Sequence, residues 1–287
     1  MAGIRDYLSL IRFSHTVFAL PFALISLLIA TDGHPSLPLL GKVVLAVLFA
    51  RSAAMSYNRY ADRWIDAANP RTSGREIPRG TIGARSALLL TVACSVGFFL
   101  TALWINQLCF WLSFPVVACL LGYSHAKHFT SLAHLWLGFS LGVAPPAAWI
   151  AARGTFDASL LAPGILGLGV LVWVAGFDII YACQDDRHDR AVGLCSIPVR
   201  LGRAGAFRVA RWLHALSVLL FGIFAIVVDD MGWAYLAGVV LAAGLLVYEH
   251  CLIDPDDLSK MNTAFFTMNG LVSISLLGCT LIDLYVL

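Results

Sequence analysis

The sequence predicts an all-α integral membrane protein, a bundle of about nine transmembrane helices. Three observations predict it. Of the 287 residues, 60% are hydrophobic and 13% charged, whereas a soluble domain has roughly 45–50% and about 25%. Mean hydropathy is +0.83. Nine apolar stretches reach the length of about 20 residues that a helix needs to cross hydrocarbon.

The stretches follow in order. The first, 14–31, comes after "MAGIRDYLSLIRF", which mixes acid with base. It lacks a small-residue cleavage signature and reads as a span rather than a signal peptide. The second, 38–57, runs into the polar "NRYADRWID". The third and fourth, 84–104 and 107–124, are separated by little more than "NQ" and form a tight helical hairpin. The fifth, 130–151, contains Pro145 and Pro146. These, like Pro21 and Pro115, are tolerable where neighbouring helices satisfy the freed backbone groups. The sixth, 160–182, runs into "YACQDDRHD". The seventh and eighth, 207–228 and 232–250, flank the short "DDMG", and 264–286 is the ninth. The chain reads as a single unit, 1–287.

Charge orients the bundle. Alternate connections carry long polar inserts, at 58–83, 125–131, 183–206 and 251–263, and 16 of the 19 Lys and Arg lie on that side. Lys42 and Arg153 lie on the other side and Arg51 lies inside the second span. Lys and Arg collect in cytoplasmic loops, so the long loops and the N-terminus are expected inside and the C-terminus outside, in the cytoplasmic (inner) membrane. A net charge of +2 gives no ground for a nucleic-acid partner. Seven cysteines form no CxxC pair and no zinc spacing, and Cys94, Cys109 and Cys119 sit in apolar runs as small hydrophobes.

Two polar stretches echo each other. "NRYADRWID" is followed by "REIPRG", and "YACQDDRHD" by "CSIPVRLG". In the first, Asn58, Asp62 and Asp66 stand at i, i+4 and i+8, one stripe of a helix continuing from the second span. Alone this reads equally well as a solvated helix end neutralised by Arg59 and Arg63. In the second, Asp185 and Asp189 repeat the pair, with Asp186 beside them. If the helices face each other, four carboxylates gather at one depth. Hard oxygen ligands at that density suit Mg²⁺ shared with substrate phosphates. Arginines of the following loops, Arg71, Arg75, Arg79, Arg200 and Arg203, suit phosphate oxygens, although each is equally a topology signal. The combination points to a Mg²⁺–diphosphate site at a membrane interface.

With "YSHAK" between them, these motifs resemble the UbiA superfamily of intramembrane prenyltransferases. "NRYADRWID" is similar to its N-x-x-x-D-x-x-x-D motif, Asp185 and Asp189 to its second D-x-x-x-D pair, and Tyr123 and Lys127 to its Y-x-x-x-K element. The resemblance covers nearly the whole chain. It implies nine helices around a central chamber with cytoplasmic cap loops. It also implies Mg²⁺ held by Asn58, Asp62, Asp66, Asp185 and Asp189, bridging an isoprenyl diphosphate donor. Those four aspartates and Lys127 would be catalytic, and Asn58, Tyr123, Arg71 and Arg75 would contact substrate. Leaving-group charge would be taken up by the metal and Lys127, and an aromatic acid would attack the allylic cation in a dry chamber. One departure is Arg59, where many members carry Asp; it and Arg63 look off the metal stripe and carry no assigned role.

Arg51 and Asp178 each precede a motif by seven residues, about 10 Å deeper at 1.5 Å per residue. Ionisable residues inside a span are paired or functional. Either they form an ion pair that fixes packing, or Arg51 binds the acceptor's carboxylate while Asp178 orients it or polarises a phenol. His15 reads as a helix-end histidine; His125 and His128, beside Lys127, are candidate diphosphate contacts. Trp and Phe of the spans read as lipid-facing or packing residues. The expected activity is transfer of a polyprenyl group to an aromatic acid of the 4-hydroxybenzoate type in ubiquinone or menaquinone synthesis. A dihydroxynaphthoate of menaquinone synthesis is a close alternative, haem or a glycerol-phosphate ether lipid a further one, and a transporter a distant one.

Overall fold

The computed structural model describes residues 3–229 and 231–287. Asp230, in the expected "DDMG" turn, therefore lies outside the described residues. Among the described residues every regular element is helical, and nine helical segments are long and apolar enough to cross a membrane. They are Phe13–Ala30, Leu37–Ala61, Ala84–Ile105, Gln107–Ala126, Ala133–Arg153, Ala158–Ala182, Ile197–Val227, Trp233–Leu252 and Thr263–Tyr285. The chain is a multi-pass membrane protein. Its outer surface is what a bilayer requires: Trp104, Trp111, Trp212 and Trp233 are exposed, whereas Trp149 and Trp173 are buried. All seven cysteines are free.

The sixth span is the axis of the bundle. It packs on the fifth and the seventh and buries Leu166, Val170, Trp173, Val174 and Phe177. Trp173 lies 5.3 Å from Phe22 of the first span, which stacks at 5.6 Å on Phe221 of the seventh. Lipid tails are as apolar as these side chains, so close packing rather than hydrophobicity holds such helices together. Where the fifth and sixth spans cross, both present glycine. A Cβ on Gly142 would lie 2.6 Å from the carbonyl oxygen of Gly167.

Irregularities in four spans escaped the pattern reading. The fifth span is two helices, Ala133–Gly142 and Ala144–Arg153, with Pro145 and Pro146 in the first turn of the second. There the missing amides are orphans in any case, and the Pro145 carbonyl accepts from the Ser26 hydroxyl at 2.6 Å. The seventh span starts at Ile197, not 207. Ser196 caps it through the Val199 amide, and Gly202, at φ 70°, kinks it. A positive φ of that size is open to glycine without strain. The first span opens with a 3₁₀ turn, Phe13–Phe18, and the ninth with a π-helical turn, Thr263–Met268.

The echo is only half structural. The second span ends at Ala61 and a six-residue helix, Arg63–Ala68, follows; the sixth ends at Ala182 and another, Asp186–Ala191, follows. The Asp66 amide bonds the Asp62 carbonyl and the Asp189 amide the Asp185 carbonyl, both at 2.8 Å. The two Ile-Pro units then diverge: Pro198 lies in the first turn of the seventh span, while Pro78 lies in a turn.

The glycine crossing has a measurable consequence. Gly142→Val must push backbone from backbone, so a loss of about 1–3 kcal/mol is expected, read as a lowered thermal midpoint in detergent. Gly164→Ala, where a Cβ meets nothing, should leave the midpoint unchanged.

Candidate active site

A chamber of about 750 Å³ lies at the motif end of the bundle. Its floor meets a second, smaller cavity of about 160 Å³, lined almost wholly by apolar side chains; Arg51, Met55, Tyr123, Leu137 and Leu141 border both. The second span supplies Arg51, Met55, Asn58 and Arg59 to the chamber wall, the i, i+4, i+7, i+8 spacing of one helix face. The irregular openings of the first and ninth spans supply an aromatic corner. The His15 ring lies 5.2–5.5 Å from Phe18, Phe265 and Phe266, and Phe265 lies 4.4 Å from Tyr181. A π turn at such a place widens a helix where a site needs it.

Three of the four motif acids are each held by a base. Lys127 Nζ lies 2.6 Å from Asp62 Oδ2, which also accepts from the Asn58 amide at 3.1 Å. Arg75 bonds Asp66 Oδ1 at 2.6 Å. Arg71 grips both oxygens of Asp185, its Nε at 2.7 Å from Oδ1, while Asn69 donates to the same oxygen at 2.7 Å. The sequence reading gathers four carboxylates into one cluster. Among the described residues, no three His, Cys, Asp or Glu side chains come together closely enough to hold a metal ion. Like charges in a partly buried site repel, and Lys127, Arg75 and Arg71 draw Asp62, Asp66 and Asp185 aside.

Two oxygens nevertheless stand ready. Asp62 and Asp66 are 4% and 5% exposed, and Asp62 Oδ1 and Asp66 Oδ2 are buried with no hydrogen-bond partner. A buried carboxylate oxygen without a donor is costly. It is the oxygen donor that a hard divalent cation takes, so the residues present fit Mg²⁺. On the second motif, burial pushes the Asp185 carboxyl up, but the hydrogen bonds and charge of Arg71 outweigh this and hold it below the usual carboxylate range. Asp189, which faces the chamber, is pushed up to about 6 by burial and then by the charge of Asp185.

Deeper in the chamber, of the two readings of Arg51 and Asp178, the ion pair is not formed. Asp178 pairs instead with His134 of the fifth span, at 2.6 Å. The second ring nitrogen of His134 lies 3.5 Å from the Ile197 amide. That amide can only donate, so the bond to Asp178 carries the ring's own proton. His134 escaped the sequence reading, although an ionisable residue inside a span was signal enough. Arg51 faces the chamber, with the Arg12 carbonyl 3.5 Å from it. Tyr123 borders both cavities.

Other expectations need correction. His15 lines the chamber rather than merely ending a helix. His125 is engaged by the Tyr57 hydroxyl at 2.9 Å and does not line the chamber, nor does His128. Arg203 bonds Asp186 at 2.9 Å and ties the loop to the seventh span; Arg79 bonds Thr81. Arg63 lies over the Tyr60 ring at 4.3 Å and donates to the Tyr60 carbonyl. Arg59 is buried and faces the chamber. Counting from Arg51 rather than from Asn58 puts Arg59 on a shared face, the signal the metal stripe concealed.

A helical membrane bundle whose acid- and base-lined chamber opens onto an apolar recess defines an intramembrane site for an amphiphilic anion. The comparisons with known proteins specify it further. The UbiA prenyltransferase family pattern matches residues 19–271, and the chain belongs to that family. It is 34% identical to the 4-hydroxybenzoate octaprenyltransferase of Vibrio cholerae over 257 residues, 87% of each chain. To the enzyme of the same name from Burkholderia pseudomallei it is 30% identical, over 97% of this chain and 96% of the relative. A UbiA homolog from Aeropyrum pernix K1 superposes with a TM-score of 0.84 at 33% identity, covering 93% of this chain and 97% of that one. A UbiA homolog from Archaeoglobus fulgidus, solved with GPP and Mg²⁺, shares the fold, with a TM-score of 0.75 at 21% identity over 98% and 100% of the chains.

The electrostatics of the second motif can be read directly. In metal-free protein, the Asp189 carboxyl should titrate near pH 6 by carboxyl ¹³C NMR. In Asp185→Asn its midpoint should fall, because the repelling charge is gone. A midpoint unmoved by that substitution would show that Asp185 does not act on it.

Proposed function

We propose that the chain transfers a polyprenyl group from an isoprenyl diphosphate to the ring of an aromatic acid, with Mg²⁺, from the cytoplasmic side of the inner membrane. The observation that carries this reading is the junction of the two cavities. Asp178, Asp189, Arg51, Arg75 and Lys127 line the polar chamber, Asp62 and Asp66 keep unpartnered oxygens behind Lys127 and Arg75, and an apolar recess starts where Arg51 and Tyr123 stand. A diphosphate with a long hydrocarbon tail needs both environments, joined. The names of the relatives support 4-hydroxybenzoate as acceptor over a dihydroxynaphthoate. The bias of 16 of 19 Lys and Arg to the motif side supports a cytoplasmic mouth.

Asn58, Asp62, Asp66, Asp185 and Asp189 would hold Mg²⁺. When bound, it supplies charge neutralisation to the diphosphate and eases its departure. Lys127 and Tyr123 donate to phosphate oxygens and take up charge as the C–O bond breaks. Arg75 and Arg71 stand on the acids of the two motifs and offer their forks to the phosphates once a cation shares those acids. Arg51 binds the carboxylate of the acceptor. Asp178, oriented by His134, accepts a hydrogen bond from the phenol and takes the proton that the ring loses as the C–C bond forms. The aromatic corner of Phe18, Phe265 and Phe266 excludes water from the allylic cation.

The transporter reading fares worse. The break in the fifth span at Val143 borders the apolar recess, while the charged groups stand in the chamber; a transporter puts broken helices and its polar site together.

Membranes holding the protein, given geranyl diphosphate, Mg²⁺ and a panel of aromatic acids, should yield a prenylated acid identifiable by mass. No product from any acid would overturn the reading. Asp62→Asn and Asp185→Asn should each lower the rate by at least about 10²-fold without unfolding the protein. Full activity in both would remove the metal assignment. Arg51→Ala should raise the KM of the acceptor far more than that of the donor. Lowering the pH through 6 should weaken Mg²⁺ binding, because protonated Asp189 is no ligand; titration calorimetry at pH 5.5 and 7.5 reads this.

A further inference from the structure

Arg59 has no part in the chemistry above, yet it is among the most confined charges in the protein. It is 5% exposed and faces the chamber. Among the described residues it makes no ion pair and no side-chain hydrogen bond, and its Nε is buried without a partner. Its charged neighbours are Arg75, Asp66, Arg12 and Glu76. The two acids are engaged elsewhere: Asp66 by Arg75 at 2.6 Å and Glu76 by the Ser9 hydroxyl. Arg12 and Arg51 also lack carboxylate partners among the described residues, and His15 sits within the field of all three arginines. One wall of the chamber thus carries three guanidinium groups with no fixed counter-charge. A buried cation without a partner is strongly unfavourable, and a ligand anion relieves it.

We propose that Arg59 is a substrate-binding residue that, with Arg12, grips phosphate oxygens of the diphosphate. This rests on the reading of the chamber as a diphosphate site and adds to it a residue from outside the metal stripe. The alternative anion is the acceptor's carboxylate, and position decides between them. Arg51 borders the apolar recess; Arg59 does not. Arg59 lies eight residues toward the mouth, about 12 Å along the helix, beside the first-motif pair Asp66–Arg75. That is the polar end, where the phosphates must lie if the tail occupies the recess. A guanidinium fork bonds two phosphate oxygens at once. An Asp at this position, as many members of the family carry, could not do so.

The test is titration calorimetry of inorganic pyrophosphate with Mg²⁺ into the purified full-length protein in detergent, which needs no acceptor and no turnover. Arg59→Gln should weaken pyrophosphate binding by about tenfold or more. Arg59→Lys, which keeps charge but loses the fork, should fall between Arg59→Gln and the wild type. The KM of the prenyl donor should rise in parallel while that of the acceptor stays within about twofold. If Arg59→Gln fails to fold by gel filtration, Arg59→Lys carries the test alone, and wild-type affinity in it overturns the proposal. Unchanged pyrophosphate affinity in Arg59→Gln also overturns it, whether the acceptor's KM rises, assigning Arg59 to the carboxylate, or nothing changes. Wild-type protein that binds no pyrophosphate overturns the diphosphate reading itself, a result distinct from either.

Discussion

The ion pair between Lys127 and Asp62 is the joint on which the chamber depends. Lys127 caps the fourth span, and Asp62 ends the second. The Lys127 ammonium holds Asp62 at 2.6 Å, and its carbonyl accepts from the Cys195 amide at 2.7 Å. One residue thereby ties the first motif, the fourth span and the loop after the second motif. In a site of lowered dielectric such a pair is tight. Half of Asp62 stays uncommitted, since the pair engages Oδ2 and leaves Oδ1 buried without a partner. The joint is structural on one oxygen and available for chemistry on the other.

The same division recurs around the mouth. Arg75 takes one oxygen of Asp66 and leaves the other, and Arg71 takes both oxygens of Asp185 but leaves Asp189 free to face the chamber. Fixed bases hold the acids at the mouth apart without a divalent cation, and the acids keep the bases in place for an anion. A site built this way accepts an anion and a metal together more easily than either alone, because each relieves the charge that the other finds in its way. Beneath it the recess and the aromatic corner supply what charge cannot, namely room for hydrocarbon and exclusion of water.

Most of the architecture was legible in the sequence because a bilayer leaves few choices. Length and apolarity located nine spans, and the spacing of Asn58, Asp62 and Asp66 located one motif. What escaped depended on neighbours across the bundle. The stripe rule orders residues along one helix but does not say how much of its circumference a chamber wets, so Arg59 looked misplaced. Seven residues of offset put Arg51 and Asp178 at one depth, and opposite charge suggested a pair. His134, from a third helix, took Asp178 instead. The seventh span began ten residues early because Ser196 and Gly202 act through backbone geometry, to which hydropathy is blind. The fifth span breaks at Val143, just before Pro145 and Pro146, into two helices.

A metal-bridged diphosphate held by the two motifs above the apolar recess would be visible in a structure of the protein with Mn²⁺ and geranyl S-thiolodiphosphate, recorded at the manganese absorption edge. Anomalous density is expected within bonding distance of Asp62 Oδ1 and Asp66 Oδ2, with a diphosphate against Lys127 and the geranyl chain running past Tyr123. Manganese bound only on the outer loops, or a diphosphate remote from Lys127, would contradict that arrangement.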